Sequence, residues 1–322
     1  MEPVIRGLYA IVSVSIIWFF SGLLISSVER IAKRFQRADF SAAFFLLGLL
    51  TSISEISVAV NAGLEGVPQV SVGNLIGASL VILLLLVPVL AILNKGIALR
   101  KTLASRNLLL TLVTVLLPVL FATDGAISRA EGILSIVAYI ALLFAVKNQK
   151  DSLRKEVRII EADISSDHAS LWWDGIKIGA GAVCIFIAGH FLVEQAVYVA
   201  DMLGVARSLI GLGLLSITTN IPELTIAVRA VLKKHSDIAF GDYLGSAAAN
   251  TAVFGGLAMA SGGFLVEKNE FIVTGFLMTI GFALFYVFAR SNRTISAREA
   301  MVLVGLYGIC FCAQIYFLTG GV

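Results

Sequence analysis

The chain has 322 residues, 58% of them hydrophobic and 14% charged, with a mean hydropathy of +0.95. That balance excludes an ordinary water-soluble domain, and the apolar runs reach the ~20 residues a helix needs to cross a bilayer. The net charge is only +3, so the placement of basic residues carries more information than their sum.

Ten apolar segments read as membrane-spanning helices, numbered here as spans 1 to 10. They lie near 7–27, 39–63, 70–93, 107–124, 130–147, 175–198, 208–230, 239–262, 270–290 and 299–319. Span 1 has the length of a signal peptide but no basic leader and no convincing cleavage site, so it reads as a retained helix. The longest polar break, Lys147 to Trp172, divides the chain into five spans plus five. The expected organisation is a first repeat at 1–147, a cytoplasmic linker at 148–171 and a second repeat at 172–322. Five is odd, so a duplicated half re-enters the membrane upside down. The expected fold is therefore all-α and polytopic, with ten transmembrane helices in two inverted five-helix repeats.

The basic residues test this layout. The loops joining spans 1–2, 3–4, 5–6, 7–8 and 9–10, with Lys177 at the start of span 6, hold 20 of the 24 Lys and Arg. Arg6, Arg129, Arg207 and Lys268 fall on the other side. Such a split predicts that the basic loops are cytoplasmic and both termini outside. The short loops fit a prokaryotic plasma (inner) membrane. Cys184, Cys310 and Cys312 sit in apolar runs without metal-ligand spacing and read as small core residues.

The two halves match at a constant offset of 168 residues. TSISEISVAVNAGL (Thr51–Leu64) falls on TNIPELTIAVRAVL (Thr219–Leu232), and nine of 32 positions from Thr51 to Ile82 are identical to their mates. The shared polar and small residues weigh most: Thr51 with Thr219, Glu55 with Glu223, Gly73 with Gly241, Gly77 with Gly245. Each half thus places one carboxylate well inside a span. Centring such a group in a bilayer costs ~2.5–3.5 kcal/mol on insertion scales, so it must face the protein interior and find a partner, a cation or a proton. Two isolated structural acids are the plain alternative, and their equivalent placement in a repeat weighs against it. A duplicated fold with mid-membrane acids points to a secondary transporter whose ion site lies between the repeats.

The flanking residues sharpen the chemistry. Pro222 precedes Glu223 and should break the helix there, releasing carbonyls that can coordinate a cation. Thr51 and Ser52 supply side-chain oxygens before Glu55, as Thr219 and Asn220 do before Glu223. An all-oxygen set suits Ca2+ or Na+ rather than zinc or copper. The second segment of each repeat is GNLIGASLVI (Gly73–Ile82) and GDYLGSAAAN (Gly241–Asn250). Its small residues allow close helix approach. Asn250 lies deep enough in its span to be a ligand, whereas Asn74 and Asp242 read as helix-end or supporting groups.

These segments resemble the alpha repeats of the calcium:cation antiporter superfamily, which includes the sodium/calcium exchangers. The pattern is carried by TSISE and GNLIGAS in the first half and by TTNIPE and GDYLGSAAAN in the second. The resemblance implies a divalent ion between Glu55 and Glu223, with Thr51 and Thr219 adding oxygens. Ser52, Asn220, Ser246 and Asn250 match flanking monovalent-ion positions. Four departures stand out: Ser54 where proline is usual, Ala78 for a serine, Ala247 for an asparagine, and Ile82 for a polar ligand opposite Asn250.

The expected function is antiport of Ca2+ against Na+ or H+ by alternating access, spans 1 and 6 sliding against a fixed bundle. Alternatives are a proton-coupled exchanger for Ca2+ or another divalent ion, and a non-transporting ion-binding membrane paralogue. Lipid and the transported ions are the expected partners. The sequence holds no nucleotide-binding glycine motif, no nucleophile–base pair in a credible setting and no aspartyl-protease signature, so it reads as neither an enzyme nor a nucleic-acid or nucleotide binder, with no cofactor. His190, four residues before Glu194 on one helical face, reads as a buried histidine with a local hydrogen bond or a pair near the outer interface. Asp124, Asp201, Glu267 and Glu270 read as solvated loop acids.

Overall fold

Each span expected from the sequence is helical over its described part in the computed structural model, which describes residues 2–34, 52–98, 105–147, 171–225, 236–291 and 294–318. Spans 1 and 6 are the longest helices, Glu2–Arg34 and Leu171–Leu203, each 33 residues and longer than hydropathy alone suggests. Span 2 is described from Ser52 onward, with its helix at Ile53–Leu64. Spans 4, 5, 8, 9 and 10 are Ser105–Ala122, Arg129–Lys147, Ser236–Ser261, Lys268–Ser291 and Ala297–Leu318. Residues 148–170 of the expected linker lie outside the described residues.

Spans 3 and 7 are interrupted. Span 3 runs Pro68–Val81, widens into a π-helical turn at Ile82–Leu86 and resumes at Val87–Leu93. The wide turn lies directly before Pro88, whose ring cannot pack on the carbonyl four residues earlier in a regular helix. Span 7 runs Arg207–Ile210, a second π-turn at Gly211–Leu215, then Ser216–Thr219. It turns at Asn220 and is helical again over 221–225. The break expected at Pro222 is thus present, two residues ahead of the proline.

The halves run in opposite senses. Arg6, near the start of span 1, reaches Glu194 near the end of span 6, and Tyr9 stacks on Phe191. Farther along span 1, Phe20 and Leu24 lie against Gly181. Spans 1 and 6 are equivalent members of the two repeats, so this antiparallel pairing is the inversion itself.

Short strands repeat the symmetry at both ends of the bundle. β1 (Ile97–Ala98), after span 3, pairs with β4 (Thr294–Ile295), before span 10. β2 (Ala126–Ile127), after span 4, pairs with β3 (Phe264–Leu265), after span 8. The two ladders are mates of one another, and each takes one strand from each half. The helix starts beside β2 and β4 are also twins. The hydroxyl of Ser128 and its backbone N–H both donate to Glu131, and those of Ser296 both donate to Glu299. These are capping boxes, in which one carboxylate satisfies donors the helix leaves free.

Two apolar clusters divide the interior. One joins spans 3, 4, 5, 8, 9 and 10 around Leu83, Val115, Phe254 and Phe282. The other joins spans 1 and 6 to parts of spans 2, 3 and 7 around Ile17, Val58, Ile185 and Ile210. Large apolar side chains such as Ile11, Phe19, Phe144 and Phe276 point outward, as a lipid-facing surface requires. Among the described residues, five helices are by themselves long and apolar enough to cross a bilayer. Span 8 falls short on hydropathy because its Ser, Asn, Thr and Gly face protein, not lipid.

Candidate functional site

Spans 2, 3, 7 and 8 converge at the centre, and glycine sets how closely. A β-carbon on Gly73 would lie 1.9 Å from the carbonyl oxygen of Ser208, and one on Gly211 would lie 2.1 Å from that of Val70. One on Gly77 would lie 2.3 Å from the Leu212 oxygen. Spans 3 and 7 therefore cross backbone to backbone, the arrangement small residues permit within membranes. The crossing brings Asn74 under Thr219, whose hydroxyl donates to Asn74 Oδ1 over 3.1 Å. Asn74 thereby fixes the Thr219 hydroxyl.

Both acids of the repeat are in the protein interior. Glu55 and Glu223 are each only 1% exposed. Glu55 Oε2 accepts from the Ser54 hydroxyl at 2.9 Å, and the Thr219 hydroxyl lies beside the same carboxyl group. Ser54 also approaches the Thr219 carbonyl at 3.2 Å, so it spans the gap between the two repeat segments. The position where proline was expected thus carries a hydroxyl that joins spans 2 and 7. Span 7 breaks at Asn220, between Thr219 and Glu223. The Tyr243 hydroxyl of span 8 donates to the Glu223 carbonyl at 2.9 Å, anchoring the segment after the break.

The neutral oxygens gather here as well. Ser52 Oγ and Ser246 Oγ lie 3.2 Å apart, one from each half. Asn220 Nδ2 donates to the Ser216 carbonyl at 2.6 Å. Asn250 Nδ2 donates to Ser79 Oγ at 3.4 Å, and Ser79 approaches the carbonyl of Ala247, its own mate in the repeat. Ser52, Thr219, Asn220, Ser246 and Asn250 are all buried. Thr51 lies outside the described residues, and so does the side chain of Asp242.

What remains unmatched is informative. Glu55 Oε1, Asn220 Oδ1 and Asn250 Oδ1 are buried with no hydrogen-bond partner. Each is an acceptor, and burying an acceptor without a donor costs about 1–3 kcal/mol, more for a carboxylate. Each of these oxygens, on spans 2, 7 and 8, is of the kind a cation would satisfy. Among the described residues no three His, Cys, Asp or Glu side chains gather, so the donor set is carboxylate plus neutral oxygen, the hard-cation type.

Two further participants lie outside the shared carboxylate and glycine pattern of the repeat. Ser57 donates to the Ile185 carbonyl and Asn61 to the Phe186 carbonyl, linking span 2 to span 6 across Gly189. With Ser54 they form a polar stripe at helical spacing, a signal legible in the sequence. Two side-chain expectations are corrected. His190 pairs with Glu65 at 2.7 Å, while Glu194 pairs with Arg6. The span-2 helix end lies nearer His190 than its own neighbour one turn on. Glu270, expected in solvent, is 7% exposed and accepts from the Ser208 hydroxyl at 2.8 Å.

Known proteins share this fold. An uncharacterized membrane protein of Methanocaldococcus jannaschii is 24% identical over 306 residues, covering 95% of this chain and 96% of the relative. The sodium/calcium exchanger MaX1 of Methanosarcina acetivorans is 22% identical over 343 residues, covering 92% and 95%. The solved structure of the sodium-calcium exchanger NCX_Mj, soaked with Na+ and Sr2+, superposes with a TM-score of 0.66 at 22% identity, over 96% of this chain and 99% of that one. The sequence model of the sodium/calcium exchanger protein family matches residues 7–147 and again 176–316. The family is one of membrane antiporters rather than of catalysts. On that evidence this chain belongs to the sodium/calcium exchanger protein family.

Proposed function

We propose that the chain is a secondary active antiporter exchanging Ca2+ for Na+, with the divalent ion held between Glu55 and Glu223 at mid-membrane. Thr51 and Thr219 add oxygens to that ion, and Ser52, Asn220, Ser246 and Asn250 serve the monovalent ions beside it. The single observation that carries this reading is the group of buried acceptors left without donors, Glu55 Oε1, Asn220 Oδ1 and Asn250 Oδ1. A relative called a sodium/calcium exchanger, aligned over nearly its whole length, supports the choice of ions. One carboxylate pair serves both ion species in turn, so one must leave before the other binds. That is exchange, driven by an ion gradient.

The conformational step is a displacement of spans 1 and 6 past the remaining helices. Their mutual packing supports it, as does the largely apolar contact they make with spans 2, 3 and 7. The basic loops face the cytoplasm and both termini the outside, with the repeats at 1–147 and 172–322 flanking the linker at 148–171. Calcium then moves outward across a prokaryotic inner membrane.

A proton-coupled exchanger is the second reading, and Ala78 and Ile82 favour it by removing oxygens from the first repeat. The test is divalent binding to purified protein, wild type against Glu55→Gln and Glu223→Gln. Either substitution is expected to abolish Ca2+ binding in a protein that still folds. Unchanged binding in both would overturn the site. Ca2+ uptake into vesicles then selects the counter-ion by its response to Na+ or pH gradients, and uptake indifferent to both would refute exchange.

A further inference from the structure

The three site side chains with an orphaned acceptor share one arrangement: the other polar end of each is held. Asn220 turns its Nδ2 to the Ser216 carbonyl at 2.6 Å, and a carbonyl can only accept, so Oδ1 is the end left over. Asn250 turns its Nδ2 to Ser79 Oγ at 3.4 Å. The Ser79 hydroxyl donates its hydrogen to the Leu75 carbonyl at 3.0 Å, so towards Asn250 it offers a lone pair and leaves Oδ1 bare. Glu55 follows the same plan with Ser54. Its Oε2 accepts from the Ser54 hydroxyl at 2.9 Å, while Oε1 is buried without a donor.

Ser54 is the holder that the repeat does not duplicate. The offset of 168 residues puts Pro222 in its place before Glu223, and proline has no hydroxyl. Ser54 is fully buried and is the second residue of the span-2 helix, directly ahead of the carboxylate it holds. A hydroxyl carries one hydrogen, and Ser54 faces two acceptors, Glu55 Oε2 at 2.9 Å and the Thr219 carbonyl at 3.2 Å. The nearer acceptor is a carboxylate, which forms the stronger bond, so the hydrogen goes to Glu55. The Thr219 hydroxyl lies beside the same carboxyl group but gives its own hydrogen to Asn74 Oδ1 at 3.1 Å. Among the described residues, Ser54 is therefore the side chain that fixes how Glu55 is turned.

The number of oxygens that Glu55 offers follows from this. A carboxylate can meet a cation with one oxygen or with both, and the oxygen count helps decide which ion fits. Calcium takes roughly six to eight oxygens, whereas a smaller divalent ion such as Mn2+ is content with an octahedral set. With Oε2 engaged by Ser54, Glu55 presents Oε1 alone.

We propose that Ser54 is a specificity-determining positioning residue, whose hydroxyl limits Glu55 to one coordinating oxygen and so keeps the site open to divalent ions smaller than Ca2+. The inference rests on Glu55 being a ligand of the transported ion, and it deepens that reading by naming which divalent ions the site accepts.

The experiment loads the purified chain in detergent with radioactive calcium and displaces it with unlabelled Ca2+ or with Mn2+. The ratio of the two affinities is the readout. Both ions enter the same empty site, so the ratio cancels whatever a substitution does to the empty protein. Ser54→Ala frees the second oxygen and should raise the preference for Ca2+ over Mn2+ by roughly 5-fold, about the worth of one hydrogen bond. Ser54→Pro puts the residue of the second half into the first turn of the helix, where proline is tolerated, and should match Ser54→Ala. Ser54→Thr keeps the hydroxyl and should restore the wild-type ratio. Affinities that fall together in Ser54→Ala, leaving the ratio unmoved, would overturn the inference. So would a Ser54→Pro protein with the wild-type ratio, a Ser54→Thr protein with the ratio of Ser54→Ala, or a wild type from which Mn2+ displaces no calcium. In each of these cases calcium still binds and Glu55 keeps its place as a ligand. A wild type that binds no calcium, or a Glu55→Gln protein that binds it unchanged, sinks the proposed function together with the inference.

Discussion

The crossing of spans 3 and 7 offers the sharpest test of how the site is held. Gly73→Ala adds one methyl group where the structure leaves 1.9 Å to the Ser208 oxygen and 2.8 Å to the Leu212 nitrogen, both backbone atoms. A carbon-to-oxygen approach is comfortable at about 3.3 Å, so the helices must part by roughly 1.4 Å. Neither backbone can rotate away as a side chain would. Overpacking of this kind costs about 1–3 kcal/mol. The Thr219–Asn74 hydrogen bond spans the same crossing and would be lost, adding about 1 kcal/mol. If that last portion is felt at the site, divalent affinity falls by roughly 5-fold to 10-fold, since 1.4 kcal/mol is tenfold. The control is Gly308→Ala, where nothing lies within 4 Å of the new methyl group. There the substitution should be neutral or stabilising by up to about 1 kcal/mol, as expected for alanine in a helix. Thermal unfolding in detergent and calcium titration read the two effects separately. A Gly73→Ala protein with the melting temperature and affinity of Gly308→Ala would refute the close crossing and its role.

Two further outcomes follow from the paired architecture. Ser128→Ala and Ser296→Ala each remove one capping box and should each lower stability by about 0.5–2 kcal/mol, by similar amounts and with calcium binding unchanged; thermal unfolding checks both, and a several-fold disparity would argue against equivalent ends. His190→Ala should cost less than about 1 kcal/mol, because the His190 and Glu65 side chains are 52% and 25% exposed and a pair so open to its surroundings is weak; a larger loss would mean that the pair locks span 6 to span 2.

Much of the architecture was legible because membranes impose strong rules. Span number followed from the length of apolar runs and from where Arg and Lys fall, and the carboxylates followed from the match of Glu55 with Glu223. What escaped was of two kinds. The π-turns at Ile82–Leu86 and Gly211–Leu215 lie in uniformly apolar sequence, where no alternation of polar and apolar residues reveals the local helical period. Pairings made by distant side chains were also hidden. Glu270 reads as a loop acid until Ser208, 62 positions earlier, is brought against it. His190 has an acid one turn along its own helix, yet the nearer acid belongs to another span. The Ser54–Ser57–Asn61 stripe lies at helical spacing, yet the match between the halves conceals it, because most of its members lack a mate of like chemistry in the other repeat. Ser57 has one, Thr225, but Ser54 and Asn61 do not.

The strand ladders bear on how such a protein can be divided. β1 takes its partner from β4 and β2 from β3, so each half ends its loops with backbone groups that pair with the other half. A half made alone would present open strand edges at both faces of the bilayer. Cutting the chain between residues 147 and 171 should therefore yield two fragments that seek each other out, interlocking like the two parts of a clasp. Ancestral versions encoded as separate identical chains would have met the same demand by dimerising.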